Sequence, residues 1–358
     1  MLLRSWAKIN LNNLIENLIN IHRFSNKYIF AVVKADAYGH DAKIVSKVLE
    51  EIPFVKKLCV ATPIEAKELR EIGITKDILV LGGILKGEEE LFLKYNLTPV
   101  VSTFENLSIA KSSGIKKIHI KFDTGMGRLG FFEEDISIIK HIVKDFEVEG
   151  VMTHLPSADT DMDFTESQIK KFKEIITSLN VNPAHIHIQN SAGAMYNCDY
   201  CTDVRIGLSM YGEKPCDNFP VNLKSVMSVY AKVISVKHFK KGTKISYCGT
   251  YTATKDIKAG VISFGYADGL PRLLSNKGNI IINGKKADII GNITMDMTIV
   301  DISDIDTKVG DDAIIVGEDG SVKITFTDIA KLSGTIPYEI MCGISKRVVR
   351  IVERVDLC

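Results

Sequence analysis

Over the first 210 residues, short apolar runs alternate with longer amphipathic stretches. The apolar runs fall at 28–33, 58–61, 78–81, 99–101, 118–122, 148–152, 185–188 and 204–208. Between them, stretches such as 42–51, 63–72, 87–95, 133–144 and 166–179 repeat their apolar residues every third or fourth position. The first pattern is that of buried parallel strands and the second that of amphipathic helices. Eight strands alternating with helices, at a spacing of roughly 25 residues, predict a (β/α)8 barrel. The period lies in the architecture, and no sequence repeat accompanies it.

After Tyr211 the helical periodicity fades. Short β-branched runs at 226–236, 244–247, 261–264, 279–282, 293–300 and 313–316 are separated by glycine-containing turns, including Asn283-Gly284 and Asp319-Gly320. They predict a mostly β domain with one short helix near 327–332. A stretch with two prolines at 212–222 reads as the linker. The expected domains are therefore a barrel at 1–222 and a β domain at 223–358, with the extreme N-terminus free to pack on the second. A length of 358 residues suits two cores better than one.

Composition removes several function classes. The net charge of +1 gives no reason to expect a nucleic-acid or membrane-surface partner. No apolar run spans a bilayer, and the first six residues carry none of signal-peptide length, so a cytoplasmic location is expected. The seven cysteines are odd in number and scattered, which does not suggest a disulfide framework. Cys198 and Cys201 form a C-x-x-C, either a redox or zinc element or ordinary loop cysteines. No second pair stands at zinc-finger spacing, so no metal is expected.

In a barrel of this kind, chemistry gathers at the C-terminal strand ends. Lys34, Asp36, Tyr38, Gly39 and His40 follow the first run, Lys121, Asp123 and Arg128 the fifth, His154 the sixth, and Asn190, Ser191, Ala192 and Gly193 the seventh. The eighth carries Arg205, Gly207 and Leu208. Lys34 either reaches into solvent or is desolvated at an apolar mouth, where a neutral amine could condense with an aldehyde cofactor. Gly125-Met126-Gly127-Arg128-Leu129-Gly130 matches a dinucleotide fingerprint, with Glu147 at a fitting distance. A Rossmann unit normally opens its fold with that strand, whereas here four βα units precede it. Ser191 and Gly207 are candidates for a phosphate cradle or for plain turns. In the β domain, Tyr266 between glycine and a turn either presents its phenol outward or anchors a core. The methionine-rich segment at 292–297, carrying Met295 and Asp296, is either a packed strand or a site.

Taken in order, AVVKADAYGH, KFDTGMGRLGF, THLPSAD, QNSAGA, VRIGLSMYG, SFGYADGLPR and ITMDM resemble the alanine racemase family, nearly end to end. The resemblance implies a pyridoxal 5'-phosphate (PLP) enzyme that interconverts L- and D-alanine by two bases and supplies D-alanine for peptidoglycan. It implies that Lys34 holds PLP covalently and is one base, and that Tyr266 of a partner subunit is the other, in a homodimer with shared active sites. By the same resemblance Tyr38, Ser191, Gly207 and Leu208 hold the phosphate, and Arg205 faces the pyridine nitrogen. His154 and His187 relay hydrogen bonds from the tyrosine to that arginine. Arg128 and the Met295 backbone meet the substrate carboxylate, Asp296 supports that segment, and Lys121 is the lysine often carbamylated in the family, steadying Arg128. Lys346 departs from the resemblance, standing where several members have a tyrosine near the phosphate. It could meet a phosphate as a point charge or change which side chains are accepted. Serine or broader racemisation is thus an alternative to alanine, and a PLP carrier without turnover a more distant one.

Overall fold

A computed structural model describes residues 3–353; the outermost residues of both expected domains, 1–2 and 354–358, lie outside it. The first strand, β1 (Ser5–Asn10), belongs to the second sheet and is followed by a helix at Leu11–Ser25. The barrel strands are β2 (Tyr28–Val32), β3 (Val55–Val60), β4 (Asp77–Val80), β5 (Leu97–Val101), β6 (Lys117–Lys121), β7 (Glu147–Met152), β8 (His185–His187) and β9 (Asp203–Ile206). Every pairing among them is parallel, in chain order from β2 to β8, with β9 beside β2. Two backbone–backbone bonds bring the β8 and β9 segments together: Thr202 N–H donates to Ile186 O at 2.9 Å and Arg205 N–H to Gln189 O at 2.8 Å. The expected barrel is therefore the observed one, its strand starts and ends displaced by a few residues.

A nine-stranded sheet makes the second layer. Its spine is β10 (Met227–Phe239), which pairs antiparallel with β1 and with the strand Asp312–Asp319. Beyond a bulge between Val233 and Ser235, β10 turns onto the strand Ile257–Ile262. The C-terminal strand Val349–Glu353 runs parallel to β1. Chain ends far apart in sequence thus meet on one edge, a pairing that no local pattern announces.

Three expectations need correction. The run at 293–300 is a strand only over Thr298–Asp301. Residues before it form a turn in which Thr294 N–H donates to Met297 O, and Met297 N–H to Thr294 Oγ1. Met295 and Met297 are accordingly exposed rather than packed. Cys198 and Cys201 are joined as a disulfide, one local bridge where unpaired loop cysteines were the plainer expectation. The helices Leu11–Ser25 and Pro337–Gly343 were not foreseen. The first has an apolar stripe (Leu11, Leu14, Leu18, Ile21) and an Asn10 side-chain cap, both visible in the sequence.

Candidate active site

Between β2 and the next helix, residues Lys34–Tyr38 make one helical turn of unusual hand. Ala35, Asp36, Ala37 and Tyr38 all have φ between 52° and 54°, and Gly39 follows at 78°. A left-handed turn costs about 1–2 kcal/mol per non-glycine residue, because Cβ crowds the next carbonyl. Long-range bonds hold it. Ala35 N–H donates to Glu65 Oε1 and Ala42 N–H to Asp36 Oδ1, both at 2.8 Å. Arg350, from the far end of the chain, donates twice to Gly39 O, at 3.0 and 2.8 Å. A Cβ at Gly39 would lie 2.3 Å from Met341 O, so this close approach requires glycine. Four residues apart on one turn, Lys34 and Tyr38 share a face.

Around that face the barrel ends supply cations and hydroxyls. Burial lowers the Lys34 amine from its usual range, and the Arg128 charge lowers it further. Lys121, at the end of β6, is buried and pushed down to about 8, first by desolvation and then by Arg205 and Arg128. Burial followed by the charges of Arg205, Arg128, Lys121 and Lys34 keeps His154 neutral. Four cationic side chains thus feel one another at the mouth, an arrangement that favours a bound anion.

Arg205 is fixed from several directions. Its Nη2 donates to Thr153 O at 2.8 Å, Ile188 O at 3.2 Å and His154 Nδ1 at 3.2 Å. Its Nη1 donates to the His187 carbonyl and, at 3.1 Å, to His187 Nδ1. Among the described residues nothing accepts from its Nε.

The other predicted barrel residues meet nearby. Ser191 Oγ accepts from Ser209 N–H at 3.3 Å, and the buried Ser209 hydroxyl has no hydrogen-bond partner. A Cβ at Gly207 would stand 2.6 Å from the Tyr38 hydroxyl, so only glycine leaves that phenol its place. No acceptor among the described residues takes the N–H groups of Gly207 or Leu208. An unpartnered hydroxyl, two free amides and a phenol held against a glycine suit the terminal oxygens of a phosphate. An unpaired guanidinium N–H suits a neutral ring nitrogen, and a desolvated amine suits an aldehyde. The residues present therefore fit PLP.

The Gly-rich loop does something else. Its amides close on a carboxylate of their own chain: Asp123 Oδ1 accepts from Gly125 and Met126 N–H, both at 2.8 Å, and Oδ2 from Arg128 N–H at 3.0 Å. That leaves no nest for a dinucleotide phosphate and presents the exposed Arg128 side chain at the rim.

Tyr266 and Met295 come together on the β domain, apart from this cluster. Tyr266 N–H donates to Thr294 O and Ala267 N–H to Met295 O, both at 3.0 Å, while the Met295 N–H has no acceptor among the described residues. Arg347 clamps the two loops, reaching Asp268 at 3.0 Å and Asp296 at 2.8 Å. Tyr266 is 44% exposed. No hydrogen bond or salt bridge among the described residues ties its loop to Lys34. Lys346 is exposed; it is Tyr338 that packs by Tyr38, with ring centroids 5.6 Å apart. Ser209, Tyr338 and Arg347 escaped the sequence reading. Ser209 and Arg347 lie inside or beside matching segments, but Tyr338 has no local signal.

Family models described as "Alanine racemase, N-terminal domain" and "Alanine racemase, C-terminal domain" match residues 9–215 and 226–352. The chain is 46% identical over 349 residues to the alanine racemase of Aquifex aeolicus, covering 98% of this chain and 99% of that one. Among solved structures it is similar to the alanine racemase of Clostridium difficile 630, with a TM-score of 0.91 and 37% identity over 99% of this chain and 96% of that one. It is also similar to the Bartonella henselae alanine racemase with covalently bound pyridoxal phosphate, with a TM-score of 0.91 and 28% identity over 98% of this chain and 100% of that one.

Proposed function

The chain belongs to the alanine racemase family, and from that membership we propose how its own residues interconvert L- and D-alanine with PLP as cofactor. The cofactor, when bound, supplies the electron sink that makes the proton on the amino acid's α-carbon acidic. Lys34 Nζ holds the cofactor covalently and carries a proton to or from one face of that carbon. The Tyr266 hydroxyl of a partner subunit serves the opposite face. Racemisation requires exchange on both faces, so the two groups must stand within hydrogen-bond reach of one atom from opposite sides.

The remaining residues bind and orient. Tyr38, Ser191, Ser209, Gly207 and Leu208 hold the phosphate. Arg205 Nε faces the pyridine nitrogen and, because arginine does not give up its proton, leaves that nitrogen unprotonated. Arg128 and the Met295 N–H hold the substrate carboxylate. Lys121, with a pKa near 8, presents enough neutral amine to take up CO2, and its carbamate steadies Arg128. His154 accepts from Arg205 at Nδ1 and so offers its Nε2–H toward the tyrosine. The product serves peptidoglycan synthesis in the cytoplasm; no described helix is long and apolar enough to cross a membrane.

The observation that carries this reading is the desolvated Lys34 amine on the left-handed turn, sharing a face with Tyr38 inside a ring of cations. Borohydride reduction of the PLP-loaded enzyme should leave the pyridoxyl adduct on Lys34, and L-alanine should lose optical activity with the unreduced PLP-loaded enzyme. An adduct on Lys121 overturns the assignment of Lys34. Turnover of serine but not alanine overturns the substrate.

A further inference from the structure

The interior of a (β/α)8 barrel is normally filled with branched apolar side chains. Here the inner positions of β6 read Lys117, His119, Lys121, alternating with Ile118 and Ile120. A continuous line of polar groups crosses the interior away from the mouth. Arg205 Nη1 lies 3.1 Å from His187 Nδ1, His187 Nε2 lies 2.8 Å from His119 Nδ1, and His119 Nε2 lies 3.1 Å from Glu149 Oε2. Lys57 Nζ lies 2.9 Å from both Glu149 oxygens, and Lys117 Nζ 3.4 Å from one. His119, His187 and Lys57 are buried, and the Phe30 ring packs against both histidines.

The two ends of this line admit one chemistry each. Arginine only donates, and an ionised carboxylate only accepts. Burial alone would raise the Glu149 pKa, but bonds from His119 and Lys57 hold it far below the carboxylate range. With a donor at one end and an acceptor at the other, each of the three bonds has room for one proton. His187 must then accept at Nδ1 and donate at Nε2, and His119 must do the same. A second proton on either ring sets two N–H groups head to head. Burial, which pushes His119 down to about 4 and His187 well below its usual value, acts the same way. The β6–β7 register places Gly150 opposite His119, where a Cβ would lie 2.2 Å from His119 Nδ1. The bare glycine is what admits the ring.

We propose that Glu149 is a positioning residue for the cofactor-facing arginine: through His119 it fixes the proton of His187 on Nε2, so that an acceptor always faces Arg205. The consequence for catalysis rests on the reading that Arg205 meets the pyridine nitrogen; the proton pattern itself does not.

The test is two-bond 1H–15N correlation on PLP-loaded protein with 15N-labelled histidine. In the wild type, His119 and His187 should both carry their proton on Nε2. In Glu149→Gln, Lys57 and Lys117 draw the amide oxygen and turn its NH2 toward His119, so the line has a donor at each end and at least one ring should shift its proton to Nδ1 or break its bond. That loosens the hold on Arg205. kcat should then fall on the order of tenfold with KM within about twofold, the size of losing one charge-assisted hydrogen bond. The cofactor's visible band should shift as well. A wild-type His187 protonated on Nδ1, or Glu149→Gln rings unchanged from wild type, overturns the proposal. If Glu149→Gln fails to fold, the wild-type spectrum alone decides. Because protons are read on the rings, these results stand apart from whether the wild type racemises alanine.

Discussion

The two halves of the proposed site are built on opposite plans. The barrel half is buried and electrically strained: a left-handed turn sets Lys34 and Tyr38, and carbonyls from three residues lock Arg205. The β-domain half is open. Tyr266 and Met295 sit 44% and 53% exposed on loops held by an Arg347 clamp. A group buried among cations, such as Lys121 or His154, has its proton affinity moved by its own chain. On the proposed two-base reading the barrel half belongs to one chain and the β-domain half to its partner, and each test below strikes one half or joins them.

The largest expected effect is on the barrel side. Lys34→Ala should lower kcat at least about a thousandfold, since it removes both the covalent anchor and a base. Steady-state racemisation and loss of borohydride-fixed cofactor would check it. Joining the halves comes next. Tyr266→Phe should be nearly inactive alone, yet mixed one to one with Lys34→Ala after subunit exchange it should recover about a quarter of wild-type activity. Half the dimers are then mixed, each with one intact composite site. A mixture that stays inactive despite proven exchange would mean that each site belongs to one chain.

Gly207→Ala should weaken PLP retention on the order of tenfold, as its Cβ takes the place of the Tyr38 hydroxyl 2.6 Å away. Equilibrium dialysis of cofactor reads this directly, and unchanged affinity removes Tyr38 from the cradle. Lys121 makes a prediction about pH. Its pKa falls from the ordinary 10.5 to about 8 in the folded protein. Between those values the unfolded chain binds more protons, so stability of the PLP-free protein rises with pH across that window and the penalty is fully present below it. Lys121→Met should flatten that rise, by on the order of 1 kcal/mol in urea unfolding across the same window. Curves of equal slope for the two proteins count against a desolvated Lys121. The smallest effect belongs to the open half: Arg347→Ala should raise KM for alanine about threefold by loosening the Met295 loop, because exposed ion pairs contribute little. Its cofactor spectrum should match wild type; a changed spectrum would place Arg347 in the barrel half.

Much of this was legible along the chain. The barrel strands announced themselves as apolar runs, and their C-terminal ends named Lys34, Lys121, His154, Ser191 and Arg205 as a cluster, because parallel strands in one barrel must end on one face. The apolar stripe of a helix and the alternation of a strand are local properties that burial only confirms. The handedness of Lys34–Tyr38 was not legible: in Ala-Asp-Ala-Tyr only the aspartate tolerates positive φ readily, and Glu65 and Arg350 hold the turn from 30 and 311 residues away. The exposure of Met295 was not legible for the same reason, since a methionine-rich run can be a packed strand or a site until Thr294 turns the backbone. The line from Glu149 to Arg205 was hidden in plain view. His119 and Gly150 read separately as a strand histidine and a strand glycine, and only the register that sets one against the other shows that the glycine makes room for the ring. Periodicity and residue type, which act through neighbours in sequence, determined the fold and the identity of the groups. Proton placement, backbone strain and the division of the site into a closed and an open half depend on distances between distant segments, which only the tertiary structure decided.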